Sequence, residues 1–98
     1  MSVYVIAAMD IHDREQYEKY SARNVGLLLS GGCEILAVDD APVVLEGESP
    51  ASRMVILKFA HADDVSKWHQ SPEYAAIRPI RQASTDTKFC ITCQSLGN

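Results

Sequence analysis

The sequence predicts an α+β domain with the element order β-α-β-β-α-β, and three observations carry that expectation. Residues 2–11 and 53–60 alternate in the two-residue rhythm of strands, and both segments are apolar on both faces. Residues 13–30 and the stretch from Ala62 to Arg81 pair cap residues with helically spaced apolar side chains. A further short apolar run follows each helical stretch, at 33–38 and at 88–94. This order is the ferredoxin-like arrangement, with a four-stranded antiparallel sheet.

Each element has a local reason. In SVYVIAAMDI, Val3, Val5, Ala7 and Met9 share one face, and Tyr4, Ile6 and Ala8 the other. Asp13 opens the first helix, and Gln16 three residues on completes a capping-box spacing. Tyr17, Tyr20, Asn24, Leu27 and Leu28 then form one stripe, with Asn24 its polar exception. Gly31-Gly32 supplies the stop. CEILAV is the second strand, DDAP a turn, and VVLEG a resumption of that strand before the loop ESPAS. RMVILKFA is the third strand. ADDVSKWHQ is a short helix with acids in its first turn, where the helix dipole favours them. Ser71 and Pro72 restart the helix as N-cap and first helical residue, and Pro79 is expected to end or kink it. KFCITCQ is the last strand.

Ninety-eight residues suffice for one domain, residues 1–98, with one core. A net charge of -4 and a pI near 5.2 disfavour nucleic acid and anionic membrane surfaces, which both reward basic patches. The N-terminal apolar run stops at Asp10, too short for a span, and has no basic segment before it. The expectation is a cytoplasmic protein whose Cys33, Cys90 and Cys93 are reduced thiols.

Two helical stretches cover only one face of a four-stranded sheet. The first and third strands are apolar on both, so the second face needs a cover. A second copy of the same sheet is the simplest one, giving a homodimer built as a dimeric α/β barrel.

The chemistry-bearing residues concentrate in WHQSPEYAAIRPIR. On a helix, Tyr74, Ile77, Arg78 and Arg81 share a face, and His69 precedes the Ser71 break. One reading is a pocket that holds a small-molecule carboxylate through Arg78 and Arg81, with His69 or Tyr74 moving a proton. The other is structural: Tyr74 and Ile77 in the core, the arginines paired with acids of the partner chain. Glu46 and Arg53 flank the loop between the second and third strands. They read either as a cross-hairpin ion pair or as part of that ligand site, with Glu46 a general base. Trp68 and Val65 anchor the second helical stretch to the sheet.

Cys90 and Cys93 form a Cys-x-x-Cys. In a strand, residues three apart point to opposite faces, so the pair cannot chelate one ion, and small buried hydrophobes is the expected role. His12, His61 and His69 have no ligand spacing, and no phosphate loop or dinucleotide fingerprint occurs. No metal and no cofactor is therefore expected.

YVIAAMDIHD, Tyr17, Tyr20, GGCEILA, VVLEG, Arg53-Met54-Val55 and above all WHQSPEYAAIRPIR resemble the family known as domain of unknown function 1330, over roughly residues 3 to 93. His69, Ser71, Pro72, Glu73, Tyr74 and Arg81 match that pattern, as do Glu46-Gly47 and Arg53. The acidic stretch DDAP departs from it. The resemblance implies the dimeric ferredoxin-like barrel and no particular activity. Barrels similar to this one include small monooxygenases and isomerases that use a pocket between sheet and helices.

Two functions are open on this basis. One is a protein that binds or transforms a small organic acid without cofactor in such a pocket. The other is a non-enzymatic dimeric module that senses a metabolite or supports another protein.

Overall fold

The computed structural model describes residues 1–97. Strands β1 (Val3–Ile11), β2 (Glu34–Asp39), β3 (Arg53–Phe59) and β4 (Thr85–Gln94) form one antiparallel sheet in the order β2-β3-β1-β4. Helices α1 (Arg14–Ser30), α2 (Ala62–His69) and α3 (Pro72–Ser84) cover one face. The predicted caps are in place. Asp13 accepts from the Gln16 amide at 3.2 Å, and the Ser71 hydroxyl accepts from the Tyr74 amide at 3.1 Å.

The core lies between this face and the helices. Val5, Ala7, Met9, Leu57 and Phe59 meet Tyr17, Tyr20, Leu28, Trp68, Tyr74 and Ile77 there. On the other face, register aligns Ile91, Ile6, Ile56 and Ala37 in one row, with Phe89, Ala8 and Met54 in the next.

Four local expectations are corrected. VVLEG does not resume β2, because the Asp39 carboxylate accepts from the Ala41 amide at 2.8 Å and turns the chain. Pro42, Pro50 and the left-handed Gly47 (φ 84°) keep residues 40–52 irregular. Of the two outcomes expected for Pro79, ending α3 is the one that is overturned, since the helix runs on to Ser84. Pro79 and Ala75 both lie on the exposed face, so the Ala75 carbonyl that proline leaves without a helical donor is open to solvent and not buried unpaired.

β4 starts at Thr85, directly after α3 and three residues earlier than its apolar run suggests. The join is closed by hydroxyls: Ser84 donates to the Ile80 carbonyl at 2.7 Å and Thr85 to the Arg81 carbonyl at 2.8 Å. Finally, of the three thiols only Cys33 is buried. Cys90 is exposed because β4 is an edge strand that the helices do not fully cover, and Cys93 because it lies on the sheet face away from the helices.

Candidate functional site

Register sets the floor of a cavity of about 120 Å³ between sheet and helices. Helix-facing side chains form three rows across the strands: Ile35, Leu57 and Val5; Val38, Val55, Ala7 and Cys90; Arg53, Met9 and Thr87. The first two rows are apolar apart from the Cys90 thiol, and the third carries the polar groups. Helix α1 roofs the cavity with Tyr17, Tyr20, Asn24 and Leu28, and the helices that follow β3 add Trp68, Tyr74 and Arg81.

A chain of hydrogen bonds runs through that roof. The Trp68 indole donates to Asn24 Oδ1 at 2.9 Å, Asn24 Nδ2 donates to the Tyr20 hydroxyl at 3.2 Å, and the Tyr20 and Tyr74 hydroxyls share a bond of 2.9 Å. Two phenolic protons meet in a single bond. Whichever phenol donates, one O–H has no acceptor among the described residues. Burial, reinforced by the neighbouring Tyr74, pushes Tyr20 well above the usual phenol value, so it stays protonated.

Arg81 extends the same donor surplus. Its Nη1 donates to the Thr87 hydroxyl at 2.8 Å, while its Nε is buried with no partner among the described residues. No carboxylate among the described residues lines the cavity. Arg53, at the other end of the third row, is neutralised differently. It makes a two-point ion pair with Asp40, at 2.6 and 2.9 Å, and its guanidinium lies 5.2 Å from the centre of the Tyr17 ring. Those hydrogen bonds hold Asp40 below the usual carboxylate range.

The structure thus divides the residues singled out by sequence. Tyr74, Arg81 and Arg53 line the cavity. His69 and Arg78 do not: they lie against Tyr74. The Arg78 guanidinium sits 5.2 Å from the Tyr74 ring centre and donates to the His69 carbonyl, while the His69 ring is centred 5.4 Å from the Tyr74 ring. Arg78 Nε is a second buried nitrogen without a partner among the described residues. His69 borders a separate cavity of about 210 Å³ with Cys90 and Thr92. Burial, then the charges of Arg78 and Arg81, depress its pKa. Glu46 is exposed in the irregular segment and does not pair with Arg53, which takes Asp40 instead. A buried Glu46 base and a Glu46–Arg53 hairpin pair are both corrected by that placement.

Sequence reasoning missed Tyr20 and Asn24 as polar participants. The available signal was an amide interrupting the apolar stripe of α1, which in a buried stripe demands partners. Register also puts Cys90, opposite Ala7, on the helix face and Cys93, opposite Tyr4, on the open face.

The architecture is shared with solved structures at low sequence identity. A protein of unknown function from Rhodopseudomonas palustris aligns with a TM-score of 0.82 at 14% identity, over 99% of this chain and 84% of its own. SnoaB, a cofactor-independent oxygenase from Streptomyces nogalater, aligns with a TM-score of 0.65 at 13% identity, over 99% of this chain and 98% of its own. A dimeric protein of unknown function and ferredoxin-like fold from Bacteroides fragilis aligns at 0.58 and 17%, over 96% of each chain. No curated protein matches the sequence. No helix among the described residues is long and apolar enough to cross a membrane. The model of one family spans residues 2–93, nearly all of the ferredoxin-like fold described above, and the chain belongs to that family, the domain of unknown function DUF1330.

Proposed function

We propose that this chain binds a small organic acid in the cavity between sheet and helices and acts on it without a cofactor. The observation that carries the reading is a half-buried guanidinium, Arg81, whose buried Nε has no partner among the described residues, in a cavity that no carboxylate among those residues lines. An anionic oxygen there would meet both the Arg81 charge and the spare phenolic proton of the Tyr20–Tyr74 pair. In that arrangement Tyr74 is the proton donor to the ligand oxygen. His69 and Arg78 position Tyr74 from behind, and Arg53 shapes the far end of the polar row. The likeness in fold to a cofactor-independent oxygenase supports chemistry in such a cavity.

One observation favours pure binding instead. Among the described residues neither a carboxylate nor a histidine lines the cavity, so none of them supplies a ready general base to its lining. The same cavity would then serve a dimeric sensing module.

Calorimetric titration with small carboxylates tests the binding step. Arg81→Met is expected to weaken binding at least tenfold while the thermal transition stays cooperative. Unchanged affinity in that variant overturns the reading. Oxygen uptake and absorbance of the bound acids then separate catalysis from sensing.

The same reading takes the protein to be a cytosolic homodimer. The open sheet face, with its row Ile91, Ile6, Ile56 and Ala37, supports the dimer, as does the dimeric relative in fold from Bacteroides fragilis.

A further inference from the structure

The cavity does not end where its polar groups end. It runs to the β2 edge of the sheet, where three of its lining residues are open to solvent: Val25 on α1 at 39% exposure, Ile35 at 37% and Val38 at 52% on β2. Register places Ile35 and Val38 on the helix face, at the ends of the two apolar rows. Arg81 and Thr87 stand at the opposite side, over β4. Three strand spacings separate the two ends, about 14 Å.

Isolated surface valines and isoleucines carry no information. Three that converge on one cavity mouth, continuous with an apolar floor and facing the unpartnered Nε of Arg81 at the far end, while the other lining cation, Arg53, is already paired with Asp40, form a polarity gradient along a single channel. From this we infer that the ligand is an amphipathic acid: its anionic oxygen lies at Arg81 and Thr87, and its apolar body lies over Val55 and Leu57 and emerges between Val25, Ile35 and Val38. The inference rests on the acid-binding reading above and specifies its substrate class. Short acids such as acetate fill only the polar end and leave the apolar rows unsatisfied. Charged bodies are rejected, because nothing along those two rows solvates a second charge.

Two other occupants compete for the mouth. The irregular segment after β2 carries Val43 and Leu45, exposed at 84% and 92%. A second copy of the chain is the other. Neither explains why the apolar surface continues inward to the buried, unpartnered Nε of Arg81, whereas a ligand with a head and a body does.

The test is a homologous series of straight-chain carboxylic acids from two to ten carbons, titrated calorimetrically into the intact protein. The matching amides serve as uncharged controls. Each added methylene is expected to tighten binding about three- to fourfold until the chain reaches solvent, after which affinity levels off. Val38→Asp, at an exposed edge position that tolerates charge, is expected to weaken the longer acids at least tenfold and leave the shortest ones unchanged. Arg81→Met weakens all of them.

Affinity that depends on Arg81 but not on chain length overturns this inference and leaves the acid-binding reading standing. No binding by any acid overturns both. Amides that bind as tightly as acids, with the same chain-length slope, remove the anionic head and with it the proposal. If Val38→Asp shifts the sedimentation coefficient and leaves the slope intact, the mouth belongs to a protein interface and the inference fails. If Val43→Ser with Leu45→Ser abolishes the plateau and Val38→Asp does nothing, the chain's own segment covers the mouth, and the inference fails again.

Discussion

The hydroxyls of Tyr20 and Tyr74 lie 2.9 Å apart, so one hydrogen bond joins α1 to α3 across the roof of the cavity. Its two ends are not equivalent. Tyr20 also accepts from Asn24, whereas the further polar neighbour of Tyr74 is the charged Arg81. Tyr20→Phe therefore strands a buried amide donor as well as a phenol, and Tyr74→Phe leaves Tyr20 bonded to Asn24. The expected destabilisation is about 2 kcal/mol for Tyr20→Phe and about 1 kcal/mol for Tyr74→Phe. The double variant should fall short of the sum, since both changes remove the same bond. Urea unfolding of the three variants measures all of this. Equal single effects with strict additivity would sink the network as described.

His69 provides a pH prediction. Its folded pKa lies below the unfolded value of about 6.5, because burial and the charges of Arg78 and Arg81 oppose a proton there. The unfolded chain binds that proton more readily. Stability from this site is then fully present above about pH 6.5 and declines as pH falls toward the folded pKa. Thermal midpoints measured from pH 7.5 down to 5 should drop less steeply in His69→Gln than in the parent chain. Identical slopes would show that the ring titrates as it does in solvent. At neutral pH the imidazole is uncharged, which suits its place against the Tyr74 ring beside two arginines.

How far the sequence can be read follows from the range of each interaction. Strand alternation, the Asp13 cap and the Ser71-Pro72 restart are local, and all appear where expected. The first residues of β4 are not legible. Thr85, Asp86 and Thr87 are polar and show no apolar rhythm, and their pairing with β1 is what makes them a strand. The helical face of Tyr74 and Arg81 is legible from spacing. That Tyr20 meets Tyr74, 54 positions away, is not, since helix spacing says nothing about which face another helix presents. The expectation of Arg53 opposite Glu46 depends on the second strand resuming. Once the turn at Asp39 ends that strand, Asp40 is the acid that remains in reach.

The Asp40–Arg53 pair has its own consequence. Arg53 is largely buried and Asp40 half exposed, so Asp40→Asn leaves a covered guanidinium with a weaker partner. The loss should be modest, about 0.5–1 kcal/mol, because solvent screens the exposed partner. Asp40 has a depressed folded pKa, so this contribution is present above about pH 3.9 and is lost as pH falls further. Stability should therefore fall more steeply below that pH in the parent chain than in Asp40→Asn, whose side chain does not titrate. Urea midpoints measured between pH 5 and 3 check this. Parallel pH profiles would mean that the pair contributes nothing.

The open face of the sheet yields the last prediction. Its central row, Ile91, Ile6, Ile56 and Ala37, crosses all four strands without a polar side chain. The flanking rows end in charge at the β2 side, with Glu34 beside Lys58 and Asp39 beside Met54. An apolar centre with a charged margin is how a stable protein interface is built. A second sheet laid on this face would bury Ile6 at its middle, and a lysine there would lie under the partner with no counter-charge in its own row. Burying that ammonium costs several kcal/mol, more than a standard interface tolerates at one position. The parent chain should sediment as a dimer at micromolar concentration, and Ile6→Lys as a monomer with reduced thermal stability. Lys58→Gln, at the charged margin, should leave the dimer in place. A parent chain that sediments as a folded monomer at that concentration would leave the open face without a partner and remove the barrel from the account.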